Sequence, residues 1–145
     1  MAARPGRQPL KDRAYTGGCA CGAVRYRARG PARDPCWCHC ASCRRAVGAS
    51  PVAWGTFLRA GFALDAGTLA LRVSSAGVER GHCANCGTSL TYASAQRPDE
   101  IDVTLATLDE PLALRPTCHL WIEDRLDWGP IEDGLPQYDT VPGRR

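Results

Sequence analysis

The chain has 145 residues, 44% hydrophobic and 23% charged, the size and make-up of one soluble globular domain with a modest core. No stretch approaches the roughly 18 consecutive apolar residues of a membrane span, and the polar, basic start "MAARPGRQPLKDRAY" is unlike a secretory signal, so a reducing cytoplasm is expected. The net charge of +3 is divided, with 14 Arg/Lys against 4 Asp/Glu over 1–98 (+10) and 4 against 11 over 99–145 (−7), a pattern of two mutually neutralising faces or of an anionic partner.

In chain order, residues 1–14 read as a flexible tail rich in Pro, Gly and basic groups, 15–138 as the folded domain, and 139–145 as a second tail. Period-2 alternation predicts strands at 23–28, where Val24 and Tyr26 share one face and Arg25 and Arg27 the other, and at 50–57, 69–74 and 89–94. Further strands are expected at 100–108, with Ile101, Val103 and Leu105 on the buried side, and at 117–124 as the last strand. One short helix follows Cys40 through "ASCRRAVG", closed by Gly48. The fold class is therefore mainly β, a single domain of short strands with little helix.

Nine cysteines, an odd number, fit a complete disulfide framework poorly, and in a reducing compartment clustered thiols point to metal or catalysis. "GHCANCGTSL" carries Cys83-x2-Cys86 before Gly87, the turn of a zinc knuckle, which supplies two sulfurs and needs a second pair for tetrahedral closure. "GGCACGAV" offers that pair in Cys19 and Cys21, so these four are expected to form a closed, structural zinc site joining distant segments. "DPCWCHCASCRR" adds Cys38, Cys40 and Cys43, three ligands with a fourth position left for water or substrate, the mark of a catalytic zinc. Three thiolates make a weakly acidic centre better suited to holding a substrate thiolate than to generating hydroxide. Cys36 stands on the same side of an extended chain as Cys38 and could close the site instead.

His39 and His82 each adjoin a cysteine ligand and, in extended chain, point the other way. His119 is the better candidate for a substrate contact, or else a core-edge histidine. Arg44 and Arg45 could hold a ligand carboxylate by bidentate pairing, or pair with the acidic C-terminal part. Trp54 and Trp121 could wall a cleft or serve the core. Cys118 reads as an incidental core cysteine or a redox thiol.

"GGCACGAVRY", "CHCASCRRAVGA", "ERGHCANCGTSL", "DVTLATLDEP" and "HLWIEDRLDW" together resemble, in order and spacing, the glutathione-dependent formaldehyde-activating (GFA-like) family, which includes the centromere protein V domain. The similarity runs from about Thr16 to Tyr138. It implies an Mss-type zinc-binding β-fold, two zinc ions, and carbon–sulfur lyase chemistry in which glutathione or a similar thiol adds to formaldehyde or another small aldehyde. By position it implies Cys19, Cys21, Cys83 and Cys86 as structural ligands and Cys38, Cys40 and Cys43 as the catalytic set. The rival expectation is a non-catalytic zinc module binding a protein or nucleic acid. Against nucleic acid, the arginines of 25–29 alternate along one strand with Tyr26 on the opposite face, so they form no stacking platform.

Overall fold

The computed structural model describes residues 13–142; the expected tail over 1–14 falls almost wholly outside them, as do residues 143–145 of the second. Eleven strands, one α-helix and four single 3-10 turns make up this part of the chain. β1 (Ala14–Gly18), β2 (Arg25–Arg29) and β5 (Phe62–Ala66) form a small antiparallel sheet in the order β1-β2-β5. The large sheet holds β3 (Arg33–Cys38), β4 (Val52–Leu58), β6 (Ala70–Ser75), β7 (Val78–His82), β8 (Ser89–Ser94), β9 (Glu100–Thr104), β10 (His119–Leu120) and β11 (Gln137–Tyr138). Its order is β11-β10-β3-β4-β9-β8-β7-β6, antiparallel except for the two parallel pairings of β10. The expected mainly-β single domain is what forms.

Alternation explains how the sheets stack. Val24, Tyr26 and Ala28 are almost wholly buried, while Arg25 and Arg27 point outward to Asp109 and Asp65. Tyr26 and Ala28 meet Phe57, Leu90, Ile101 and Val103 from the large sheet, and the core lies between the two sheets. Tyr15 sits edge-on to Phe57 at 5.5 Å. Phe57 is fully enclosed, so truncation to Ala would cost about 3–5 kcal/mol.

The other face of the large sheet is buried as well, contrary to a simple one-sided reading of 100–108. Asp102 and Thr104 are enclosed, Asp102 accepting from Thr56 at 2.6 Å and pairing with Arg97. Leu105 is buried, but in a 3-10 turn (Leu105–Thr107) rather than in the strand. This second face carries Cys36, Cys38, Val52 and Trp54 and is covered by α1 (Ala41–Val47) and by Cys118, Leu120 and Trp121.

The expected final strand at 117–124 is much shorter. Only His119–Leu120 pairs; Trp121 then takes a left-handed backbone (φ 60°), which ends the extended run and starts a 3-10 turn at Ile122. β11 follows it in sequence. Gly48 closes α1 in the left-handed conformation, its N–H reaching the Arg44 carbonyl at 2.8 Å.

Candidate metal centres

Two turns of matching design present the first group of sulfurs. In one, the Cys19 N–H bonds the Val24 carbonyl and Gly22 N–H returns to Cys19; in the other, Cys83 N–H bonds Thr88 and Gly87 N–H returns to Cys83. Gly22 and Gly87 both sit at φ 78°, a conformation glycine adopts without the cost a side chain incurs. The four sulfurs of Cys19, Cys21, Cys83 and Cys86 all lie within 4.8 Å of one another, with Cys19–Cys21 at 3.5 Å and Cys21–Cys83 at 3.8 Å. Tetrahedral coordination at about 2.3 Å per Zn–S bond needs sulfurs about 3.8 Å apart, so this set could hold a metal ion with little movement. Local donors favour the anionic form at two of the four, whereas at Cys83, against the donation of the Cys86 N–H, desolvation and the neighbouring Cys19 and Cys86 sulfurs push the thiol up to about 11. The Val24 N–H holds Cys19 below the ordinary thiol range, and the Thr88 hydroxyl and N–H bring Cys86 down to about 5.

The second group forms where β3 runs into α1. Cys38 ends the strand, Cys40 is the helix N-cap, and Cys43 is on the first turn with its N–H bonded to the Cys40 sulfur at 3.3 Å. The helix start is further capped by Asp124, whose carboxylate accepts from the Ala41 N–H at 3.1 Å. Cys38, Cys40 and Cys43 again lie within 4.8 Å of one another. Hydrogen bonds from Cys38 and Cys43 bring Cys40 down to about 2, and the same crowding pushes Cys38 strongly upward. Three neighbouring sulfurs cannot all ionise without a cation among them, so this donor set also fits a metal.

Cys36 lies outside this group of sulfurs. It is buried on the same sheet face, paired across to Trp54, and burial pushes its thiol up to about 12, followed in effect by Cys118. All nine cysteines are free.

The histidines form a structure of their own. His39 turns away from the cysteines and its Nε2 is 2.9 Å from His119 Nδ1, while His119 Nε2 meets the Asp133 carboxylate at 2.9 and 3.1 Å. Both ring nitrogens of His119 are thus engaged by protein, and the pair ties the cysteine loop to the C-terminal segment. Trp54 and Trp121 both pack around the three-cysteine group. Arg45 is exposed, and Arg44 is half-buried.

Three buried side-chain donors lack a partner among the described residues: Arg44 Nε, Trp54 Nε1 and Arg80 Nη1. All three belong to residues surrounding the second group of cysteines. Arg80, Tyr92, Asp124 and Asp133 were not singled out by the sequence, because strand pairing and the C-terminal crossing bring them in from 37 or more residues away.

A cleft of about 750 Å³, walled by Trp37, Val52, Leu105, Leu112 and Leu114 with Cys86 at its edge, touches none of the three cysteines.

The class defined by this arrangement is a two-sheet β domain carrying one four-thiol and one three-thiol centre. The chain belongs to the family described as glutathione-dependent formaldehyde-activating enzyme (GFA), whose sequence profile matches residues 14–124. A relative from Halomonas elongata, named "Putative glutathione-dependent formaldehyde-activating enzyme", is 29% identical over 136 residues, covering 80% of each chain. A crystal structure of a Rhodobacter sphaeroides protein is 25% identical, with a TM-score of 0.57, and covers 70% of this chain and 97% of that one.

Proposed function

We propose that this protein is a zinc-dependent carbon–sulfur lyase that adds glutathione or a similar thiol to a small aldehyde such as formaldehyde, or catalyses the reverse. The observation that carries the reading is the contrast between the two centres: four thiols close one, and three thiols bounded by orphaned donors make the other. Family membership supports an enzyme acting with glutathione and formaldehyde.

Cys19, Cys21, Cys83 and Cys86 would hold one zinc as a structural clip, and Cys38, Cys40 and Cys43 a second. Bound there, zinc supplies a position at which a thiol is held as its thiolate. The protein's own part is to fix the three sulfurs on a strand end and a capped helix start, to shield them with Trp54 and Trp121, and to hold His39 out of the coordination sphere. Arg44 or Arg45, on the same short helix, would orient an anionic group of the substrate. We assign the protein to the cytoplasm, a reading supported by its nine free thiols; no helix among the described residues is long and apolar enough to cross a membrane.

The test is the rate at which isotope-labelled formaldehyde and glutathione form the S-hydroxymethyl adduct, followed by NMR above the uncatalysed rate. Acceleration that Cys40→Ala abolishes supports the lyase. No acceleration with any thiol, in protein holding both zincs, would move the protein to the binding-module class.

A further inference from the structure

Arg80 is 8% exposed, in the middle of β7 on the face that carries the second centre. Its strand partner Tyr92 stacks under the guanidinium at 4.9 Å, Ser74 accepts from Nε at 3.2 Å, and Nη2 lies 3.6 Å from the sulfur of Cys43. Nη1 is buried without a partner. Among the described residues no carboxylate pairs with it. A guanidinium stays charged at all accessible pH values, and a buried charge without a counter-charge is strongly disfavoured. An enclosed arginine without a carboxylate partner, whose Nη2 meets a thiol, is therefore out of place unless that thiol is an anion.

We propose that Arg80 is the counter-charge of the three-cysteine centre and the residue that makes its open position selective for anionic sulfur ligands. The proposal rests on Cys38, Cys40 and Cys43 holding zinc. Three thiolates and a divalent ion carry a net charge of −1. A fourth thiolate would raise this to −2 in a buried setting, which favours a neutral donor such as water or imidazole instead. With Arg80 beside Cys43 the resting centre is neutral, and an entering thiol that releases its proton to solvent brings it only to −1. The Nη2–H donation to Cys43 also holds that sulfur as a thiolate, the form that binds metal, while drawing electron density from it so that the metal stays attractive to an incoming thiolate. Arg80 is thus a positioning residue acting through Cys43, and it explains why a trithiolate site accepts a fourth sulfur.

The experiment compares wild type, Arg80→Met and Arg80→Lys, with zinc at the four-cysteine centre and cobalt(II) at the other. In the Met variant, metal affinity at the three-cysteine centre should fall about 10- to 100-fold, the range of second-sphere substitutions at such sites. The sulfur-to-cobalt charge-transfer band should move to lower energy, because Cys43 loses its donor. Glutathione affinity should fall tenfold or more while imidazole affinity holds, and Arg80→Lys, which keeps the charge, should restore most of the glutathione affinity. The metal-free Met variant should melt no lower than metal-free wild type, since the replacement removes an unpaired buried cation. A folded Met variant with wild-type band position and wild-type glutathione preference would overturn the proposal. Should the Met variant not fold, Arg80→Gln, which removes the charge but keeps a polar side chain, decides: wild-type glutathione preference in that variant would overturn the proposal. Wild-type protein that takes no metal at the three-cysteine centre would instead overturn the zinc assignment itself.

Discussion

Replacing Cys83 by Ala would remove one ligand of the proposed zinc clip, which would join sulfurs 62 residues apart in sequence, Cys21 and Cys83. Treated as a cross-link on the unfolded chain, a loop of that length is worth about 4 kcal/mol at 25 °C. A domain of this size has roughly 5–15 kcal/mol in all, so the variant should retain little of its stability and melt roughly 10–20 °C lower. Cys40→Ala is the matched comparison. Cys38, Cys40 and Cys43 lie within six residues of chain, so a metal held there would close no long loop; what is lost locally is the helix N-cap, about 1 kcal/mol and a few degrees. Circular dichroism melts of both variants in zinc-containing buffer measure the difference. A Cys83→Ala protein melting within a few degrees of wild type, or equal losses from the two substitutions, would refute the division into a structural and a catalytic centre.

Mild chelation should strip one zinc early and leave one bound, since three thiols in one loop hold less firmly than four from two knuckles; metal analysis against time shows this, and simultaneous loss speaks against it. Cys36→Ser should keep both zincs, because its buried, neutral thiol lies outside the three-sulfur group, and metal content of the purified variant checks it. Burial pushes the Tyr26 phenol up to about 12, so the neutral form is favoured in the native state: this contribution is intact below pH 10 and is lost as pH rises from 10 to 12. Over that window wild type should lose roughly 2 kcal/mol more than Tyr26→Phe in denaturant titrations, and parallel losses would mean that the ring is not held neutral.

What was legible in the sequence was what is local in it. Alternation placed Val24 and Tyr26 in the core, Gly48 closed the one helix, and the close spacing within each cysteine motif matches the turns that carry it. β3 escaped notice because Pro35 interrupts it at a register shift and its cysteines read as loop; β5 and β7, with exposed or charged positions, lack a clean apolar face. The truncation of the strand after Leu120 depends on the left-handed turn at Trp121, to which no glycine or proline pointed. Arg80 became visible only when β7 paired with β8 and α1 lay over that face, since its partner Cys43 is 37 residues away. His119 is a comparable case: the sequence marked the residue, and its partners His39 and Asp133 come from opposite ends of the domain.

The ligand set at the second metal tests the central claim most directly. X-ray absorption at the cobalt of protein carrying zinc in the four-cysteine centre and cobalt in the other should show three sulfurs and one light donor at rest, and four sulfurs once glutathione is added. Four sulfurs before any thiol is present would mean a closed site, with Cys36 or another protein thiol in the fourth place, and would contradict the lyase reading.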